Sequence, residues 1–341
     1  MKNYSICMIG FGNVGKAFAQ LITRKTKQIA DEYNISFSVV AIATGNHGRA
    51  IDHNGINLKK ALEISAKNGS LDELSVISTP KSIRGFIALS KANFLLENSP
   101  VNYETGEPAI THIKAALANN MHAVSANKGP VVHAYKELTN LARASDRQFL
   151  FESAVMDGAP IFSVFREALP AAEIIGFEGI LNSCTNLLIE KMGEGSSFEE
   201  AVAYAQSIGI AETDPSGDID GWDASIKVAA LATVLMGIPL KPQDIDRKGI
   251  RDLTPRLIQQ AIKDGKRWKL VCTAVIMDGN ITAKVAPQLV PPSSPFFSVN
   301  GTSSLVVFKT DVLPGLGILE SDPSPETTAY GLLADILNIL K

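Results

Sequence analysis

Residues 212–227 read Glu-Thr-Asp-Pro-Ser-Gly-Asp-Ile-Asp-Gly-Trp-Asp-Ala-Ser-Ile-Lys. Five carboxylates, Glu212, Asp214, Asp218, Asp220 and Asp223, fall within twelve residues, and Lys227 follows Asp223 by four. If a helix starts near Asp220, the Asp223 and Lys227 side chains share one of its faces. An acid patch beside one ammonium group has the chemistry to grip a cationic amine and to keep a proton donor charged. A calcium loop is excluded. Ser216, Asp218, Asp220 and Gly221 fit its first, third, fifth and sixth positions, but the twelfth must be a bidentate glutamate and is Lys227. Two readings of the segment stay open on its own terms: a ligand site, or a solvated helix start whose acids favour the N-terminus.

A second motif supplies possible redox chemistry. Gly10-Phe11-Gly12-Asn13-Val14-Gly15 is G-x-G-x-x-G between an apolar strand (Tyr4 to Ile9) and a helical stretch (Val14 to about Tyr33). That is the context a dinucleotide fingerprint requires. The first glycine makes the turn, the second admits the pyrophosphate, and the third lets helix pack on strand. The second strand ends Ala43-Thr44-Gly45-Asn46-His47-Gly48-Arg49, with no carboxylate for a ribose diol and an arginine suited to a 2′-phosphate. This favours NADP, with NAD possible; a solvated loop arginine is the bland alternative. Lys128, in Ser125-Ala126-Asn127-Lys128-Gly129-Pro130, lies at another strand end.

These groups need positioning elements. Through residue 150, strand-like and helix-like segments alternate, including helices over 56–67, 81–92, 105–119 and 129–144, which implies βαβ units and a parallel sheet. Beyond it the pattern loosens. A strand is expected over 174–181, helices over 197–208, 223–236 and 254–264, a hairpin around Asp278-Gly279, a strand over 303–310 and a closing helix over 328–340. The expected fold class is α/β: an N-terminal Rossmann domain with a doubly wound parallel sheet over 1–148, an α+β catalytic and dimerisation domain over 149–318, and a C-terminal segment, 319–341, returning to the first. The active cleft is expected between the two domains.

Taken together the motifs resemble homoserine dehydrogenase over nearly the whole chain. The likeness rests on the glycine turn, on Ala126-Asn127-Lys128-Gly129-Pro130, on Glu152 with Val155 and Gly158-Ala159-Pro160, and above all on the Glu212-x-Asp214-Pro215 to Lys227 run. The resemblance implies interconversion of L-aspartate 4-semialdehyde and L-homoserine with NAD(P)H, in threonine, methionine and isoleucine biosynthesis. Lys227 matches the proton donor and Asp223 its neighbour. Glu212 and Asp218 match acids that bind substrate. Lys128 matches a lysine near the substrate and a rival acid. Ser99 matches a cofactor contact. Glu152, with the carbonyls of Val155, Asp157 and Ala159, matches a site for a monovalent cation such as Na+. A homodimer is also implied.

Two segments depart from the family pattern. Asn182-Ser183-Cys184-Thr185-Asn186 replaces Asn-Gly-Thr before an Asn, and of the glycine-rich turn before the last helix only Thr328-Ala329 fits. A short form is expected, without a fused kinase or amino-acid-sensing domain. Two rivals remain: a phosphorylating semialdehyde dehydrogenase, for which Cys184 is the one plausible nucleophile, and a dinucleotide sensor without catalysis.

Composition agrees with an enzyme of a small molecule. The chain has 341 residues, a net charge of −3 and dispersed basic residues, which gives no footprint for nucleic acid. Its longest apolar run, about Val228 to Leu240, is too short for a membrane span. The three scattered cysteines, Cys7, Cys184 and Cys272, suggest no disulfide framework and a reducing cytoplasm.

Overall fold

A computed structural model describes all residues, 1–341, which divide into two compact units. The first comprises Met1–Pro160 with Ser324–Lys341, the second Ile161–Pro323.

In the first unit, β1 (Lys2–Ile9), β2 (Ile35–Ala43), β4 (Phe94–Glu97), β5 (His122–Ser125) and β6 (Phe149–Leu150) run parallel in the order β2-β1-β4-β5-β6, and the short β3 (Arg49–Ile51) adds antiparallel to the β2 edge. β1 lies between two strands and loses its alternation: Ile6, Cys7, Met8 and Ile9 are all buried, as a strand covered on both faces requires. α1 (Asn13–Tyr33) presents Phe18, Leu21, Ile22 and Ile29 to the sheet. It stops at Asn34, which takes a left-handed conformation at φ 57°. The chain's last helix, α12 (Pro325–Ile339), places Ala329, Leu332, Leu333 and Ile336 in the same core. The remaining helices are α2 (Leu58–Ala66), α3 (Ile83–Ser90), α4 (Ala109–Ala118), α5 (Lys128–His133) and α6 (Tyr135–Ala144). The single helix expected over 129–144 is thus two, broken at Ala134 with φ −142°. Gly129, Pro130 and the β-branched pair Val131-Val132 are poor helix formers, so the first piece stays short.

The second unit is a six-stranded sheet in the order β12-β11-β7-β9-β10-β8. β7 (Ile174–Ile180), β9 (Arg267–Met277), β10 (Asn280–Val290), β11 (Ser304–Thr310) and β12 (Leu316–Glu320) pair antiparallel, while β8 (Asp246–Arg247) joins β10 in parallel. The β9–β10 hairpin turns at Asp278 (φ 50°) and Gly279 (φ 78°), the two positive φ values a type I′ turn needs. α11 (Pro255–Lys263) starts behind Thr254, whose side chain accepts from Leu257 N. α8 (Phe198–Ser207) and the four-residue α9 (Ser216–Ile219) lead to α10 (Trp222–Leu235), which is buried from Asp223 to Thr233 except at Lys227.

One helix escapes the sequence periodicity. α7 (Ser183–Gly193) occupies the segment that departs from the family pattern. Its first turn is polar and β-branched and reads as loop, but Asn182 caps it by accepting from Thr185 N at 2.8 Å.

The tightest backbone approach in the first unit is at Gly10. Its φ is +96°, and a Cβ there would stand 2.5 Å from the Asn98 carbonyl oxygen. Gly10→Ala is therefore expected to destabilise the protein by about 2–4 kcal/mol, from left-handed strain plus overpacking. Denaturant unfolding followed by circular dichroism measures this, and wild-type stability in the variant would refute the close approach.

Candidate active site

The dinucleotide turn is in the first unit. Gly10 N donates to the Ala43 carbonyl and Asn98 N to the Ile9 carbonyl, both at 2.8 Å, so the ends of β1, β2 and β4 are tied together. A Cβ on Gly15 would lie 2.7 Å from the Gly10 carbonyl oxygen, which accounts for close helix–strand contact. A Cβ on Gly12 would meet nothing within 4 Å. That glycine leaves exposed backbone at the start of α1, whose Phe11, Asn13 and Val14 neighbours complete the turn; the arrangement fits a pyrophosphate on a helix N-terminus.

Two further loops end at the same edge. Ser99 donates its hydroxyl to the wholly buried Glu97, which also contacts His112 Nδ1 at 3.1 Å. Asn127 donates through Nδ2 to the Ser99 carbonyl at 2.9 Å and caps α5 by accepting from Gly129 N at 2.9 Å. Lys128, the first residue of α5, is thereby attached to the Ser99 loop. Arg49 is in β3. Its Nη1 donates to the carbonyls of Lys81 (2.7 Å) and Pro80 (3.2 Å), and its backbone N to Asp72 Oδ1 at 2.7 Å. Those amide and Ser70 bonds hold the Asp72 carboxyl below its ordinary range. Part of the Arg49 guanidinium is thus committed to the protein.

The segment after β6 carries the oxygens of the expected cation site. Glu152 is buried at 4 % exposure, and its backbone N donates to Asp335 Oδ2 at 2.7 Å. Asp157 sits at φ 42° and accepts from the Thr328 hydroxyl, while Ser153 donates to the Thr328 carbonyl. Thr328 is one of the two residues in its region that keep the family pattern. Val155 and Ala159 complete an irregular turn in which Ala159 N donates to the Met156 carbonyl at 2.8 Å.

In the second unit the acidic stretch divides sharply. α10 begins behind Gly221, at φ 79°, so Asp223 is in its first turn and Lys227 is one turn on. Lys227 Nζ lies 3.0 Å from Asp223 Oδ2 and donates to the Leu181 carbonyl at 2.7 Å. Asn182 Nδ2 donates to Asp223 Oδ2 at 3.0 Å and to Asp218 Oδ1 at 2.7 Å. Burial and then the Asp223 charge push the Asp218 carboxyl up to about 6, against the opposing pull of Asn182, Lys227 and the Cys184 thiol. Three of the expected site residues, Asp218, Asp223 and Lys227, thus form one hydrogen-bonded cluster. Glu212 is not in it; it is exposed on the turn before α9, where Gln206 Nε2 donates to its backbone carbonyl.

The other two acids have structural partners. Asp214 accepts from Ser216 N at 3.0 Å, which lowers its pKa. Asp220 takes a two-pronged bond from Arg251, and its carbonyl accepts from Arg247, whose guanidinium lies 3.5 Å from the centre of the Trp222 ring. Asn182 and the Leu181 carbonyl are the parts that sequence reasoning missed. The signal for Asn182 was an N-cap residue between a strand and an apolar run. Nothing local signals its reach to Asp218 and Asp223.

Cys184 is buried, and burial followed by the Asp218 charge pushes its thiol far above the ordinary range. A thiol held neutral is a poor nucleophile, which removes the physical basis of the phosphorylating rival.

Comparison with known proteins shows the family. The family model for homoserine dehydrogenase matches residues 160–337, and that for the homoserine dehydrogenase NAD binding domain matches residues 10–152. The chain is 37% identical to a homoserine dehydrogenase of Methanocaldococcus jannaschii over 98% of both chains. It is 33% identical to an NAD(+)-dependent homoserine dehydrogenase of Pseudomonas canavaninivorans over 99% of this chain and 97% of that one. A hyperthermophilic archaeal homoserine dehydrogenase variant solved with NADPH superposes with a TM-score of 0.82 at 29% identity, covering 99% of this chain and 98% of that one. A homoserine dehydrogenase of Thiobacillus denitrificans gives a TM-score of 0.82 at 27% identity, covering 99% and 73% respectively. With a nucleotide turn on one unit and a lysine–carboxylate cluster on the other, matched by family models along most of its length, the chain belongs to the homoserine dehydrogenase family of NAD(P)-dependent oxidoreductases.

Proposed function

We propose that this chain interconverts L-aspartate 4-semialdehyde and L-homoserine with NADP(H), and that Lys227 is the proton donor. The carrying observation is the placement of Lys227 Nζ between the Leu181 carbonyl and the Asp223 carboxylate. The bound nicotinamide supplies hydride to the aldehyde carbon, and negative charge then develops on the carbonyl oxygen. A partly buried ammonium group aimed by two fixed acceptors suits stabilisation of that oxygen and proton delivery to it. Asp223 keeps the lysine charged and oriented. With Asp218 ionised, two carboxylates face one ammonium group, and the net negative charge that remains suits the substrate's own ammonium. Glu212, exposed on its turn, is free to close on the same group from outside the cluster.

Within the same reading, Gly10 to Gly15 and Ser99 hold the cofactor and Lys128 contacts substrate. The absence of a carboxylate after β2 supports NADP over NAD, with Arg49 reaching the 2′-phosphate through the guanidinium N–H groups not bonded to Pro80 and Lys81. Glu152 and the carbonyls of Val155, Asp157 and Ala159 offer hard oxygen donors, suited to Na+. Assembly as a homodimer in the cytoplasm, serving threonine, methionine and isoleucine biosynthesis, follows from the family.

Lys227→Ala and Asp223→Ala are expected to lower kcat at least about 100-fold, the worth of a general acid, while Glu212→Ala mainly raises KM for homoserine. Lys128→Ala separates the rival acids: near wild-type kcat in Lys227→Ala with collapse in Lys128→Ala would contradict the assignment. Asp218 must be ionised to bind an ammonium group and protonates as pH falls through about 6. Homoserine kcat/KM should therefore show an acidic limb near that pH, falling toward lower pH, and Asp218→Asn should remove that limb. An unchanged limb in the variant would assign it to another group.

A further inference from the structure

We propose that Asn182 is the positioning residue of the proton-donor cluster: its side-chain amide locks Asp218 and Asp223 together and so holds Asp223 against Lys227. The argument begins with hydrogen counting. A side-chain amide has one carbonyl oxygen and two N–H bonds. The Asn182 oxygen is used inside α7, accepting from Thr185 N and from the Thr185 hydroxyl, both at 2.8 Å. Its nitrogen donates to two carboxylates, Asp218 at 2.7 Å and Asp223 at 3.0 Å. Each N–H thus has one carboxylate partner. Ser and Asp are the equals of Asn as helix caps, but a hydroxyl has one hydrogen and a carboxylate none. Neither reproduces the double donation.

The neighbouring residue extends the same device. The Leu181 carbonyl, one peptide unit before, accepts from Lys227 Nζ at 2.7 Å. The corner between β7 and α7 therefore touches all three charged groups of the cluster. Asn182 is 3 % exposed, so water does not compete for these bonds. Two carboxylates bonded to one amide would otherwise repel each other, with a single ammonium group paired to Asp223. Asn182 lowers that cost and fixes the distance from Asp223 to Lys227. The cap also carries rigidity from the sheet: Asn186, one turn along α7, accepts from Lys269 Nζ of β9 at 2.8 Å and donates to the Gly301 carbonyl at 2.9 Å.

The inference rests on the proposed role of Lys227, and its test separates the two. Asn182→Ser and Asn182→Asp keep a capping oxygen and remove the double donor. Asn182→Ser is expected to keep the wild-type melting temperature to within a few degrees, whereas Asn182→Asp sets a third buried carboxylate beside Asp218 and Asp223 and should lower it. Both should keep the wild-type KM for NADP. Their kcat should fall roughly 10- to 100-fold, the cost of misplacing a catalytic group by about an ångström. Asn182→Gln, which retains both N–H bonds at greater reach, should recover part of the loss. A readout free of turnover is the carboxyl chemical-shift titration of Asp218 in Asn182→Ser. The groups facing Asp218 are Asp223, Lys227 and the Cys184 thiol, all unchanged in this variant, so loss of the amide bond should move the titration to higher pH. Wild-type kcat in the Ser and Asp variants, or an Asp218 titration unmoved in Asn182→Ser, would overturn the role and leave Asn182 a helix cap. If wild-type protein failed to oxidise homoserine while the titration moved as expected, the clamp would stand and the functional reading would fall.

Discussion

The second unit is organised around one ammonium group. Lys227 is partly enclosed, and a charge there is stable only if hydrogen-bonded and neutralised. The Leu181 carbonyl and the Asp223 carboxylate meet both conditions. Each depends on a different element: the carbonyl on where β7 ends, the carboxylate on where α10 begins. Gly221, at φ 79°, is what starts α10 in register, so that Asp223 falls one turn before Lys227. The surrounding helix is apolar almost throughout, so its position is set by packing, and the polar cluster is carried on a rigid body. That is the condition for a donor that does not have to search for its acceptor.

The first unit meets a different constraint, close approach of backbone to backbone at its strand ends, on which the proposed pyrophosphate site depends. Gly10 allows the β4 loop to approach β1, Gly15 allows α1 to approach the turn, and Gly12 leaves open space where a side chain would otherwise stand. The buried Glu97 then collects Ser99 and His112, and Asn127 joins that loop to the start of α5. Loops at strand ends are the mobile parts of such sheets. Here the ends of β1, β2 and β4 are tied by backbone hydrogen bonds, and the β4 and β5 loops by the buried Asn127 side chain.

Much of this is legible in the sequence. Alternating strands and helices announced the parallel sheet, the Asp278-Gly279 pair announced the hairpin, and Thr254-Pro255 announced the start of α11. These are local signals, carried by side-chain periodicity and turn chemistry. The i, i+4 spacing of Asp223 and Lys227 likewise placed them on one helical face. What was hidden is non-local. Asn182 acts on residues 36 and 41 positions away, and the Arg49 guanidinium bonds to carbonyls 31 and 32 positions away. α7 was hidden for a different reason: its first turn has the composition of a loop, and its helix is stabilised by a cap and by tertiary bonds at Asn186. The edge strands β3 and β12 are short and lack strong alternation. The sequence named the charged groups of the cluster; the fold supplied the neutral amide and carbonyl that hold them.

The most direct measurement is steady-state oxidation of L-homoserine by the purified protein, followed as reduced cofactor, with NADP and NAD in parallel. The account predicts homoserine-dependent turnover with a higher kcat/KM for NADP. Cofactor binding without homoserine-dependent reduction would contradict the assigned chemistry, and a clear preference for NAD would contradict the reading of the β2 end and Arg49.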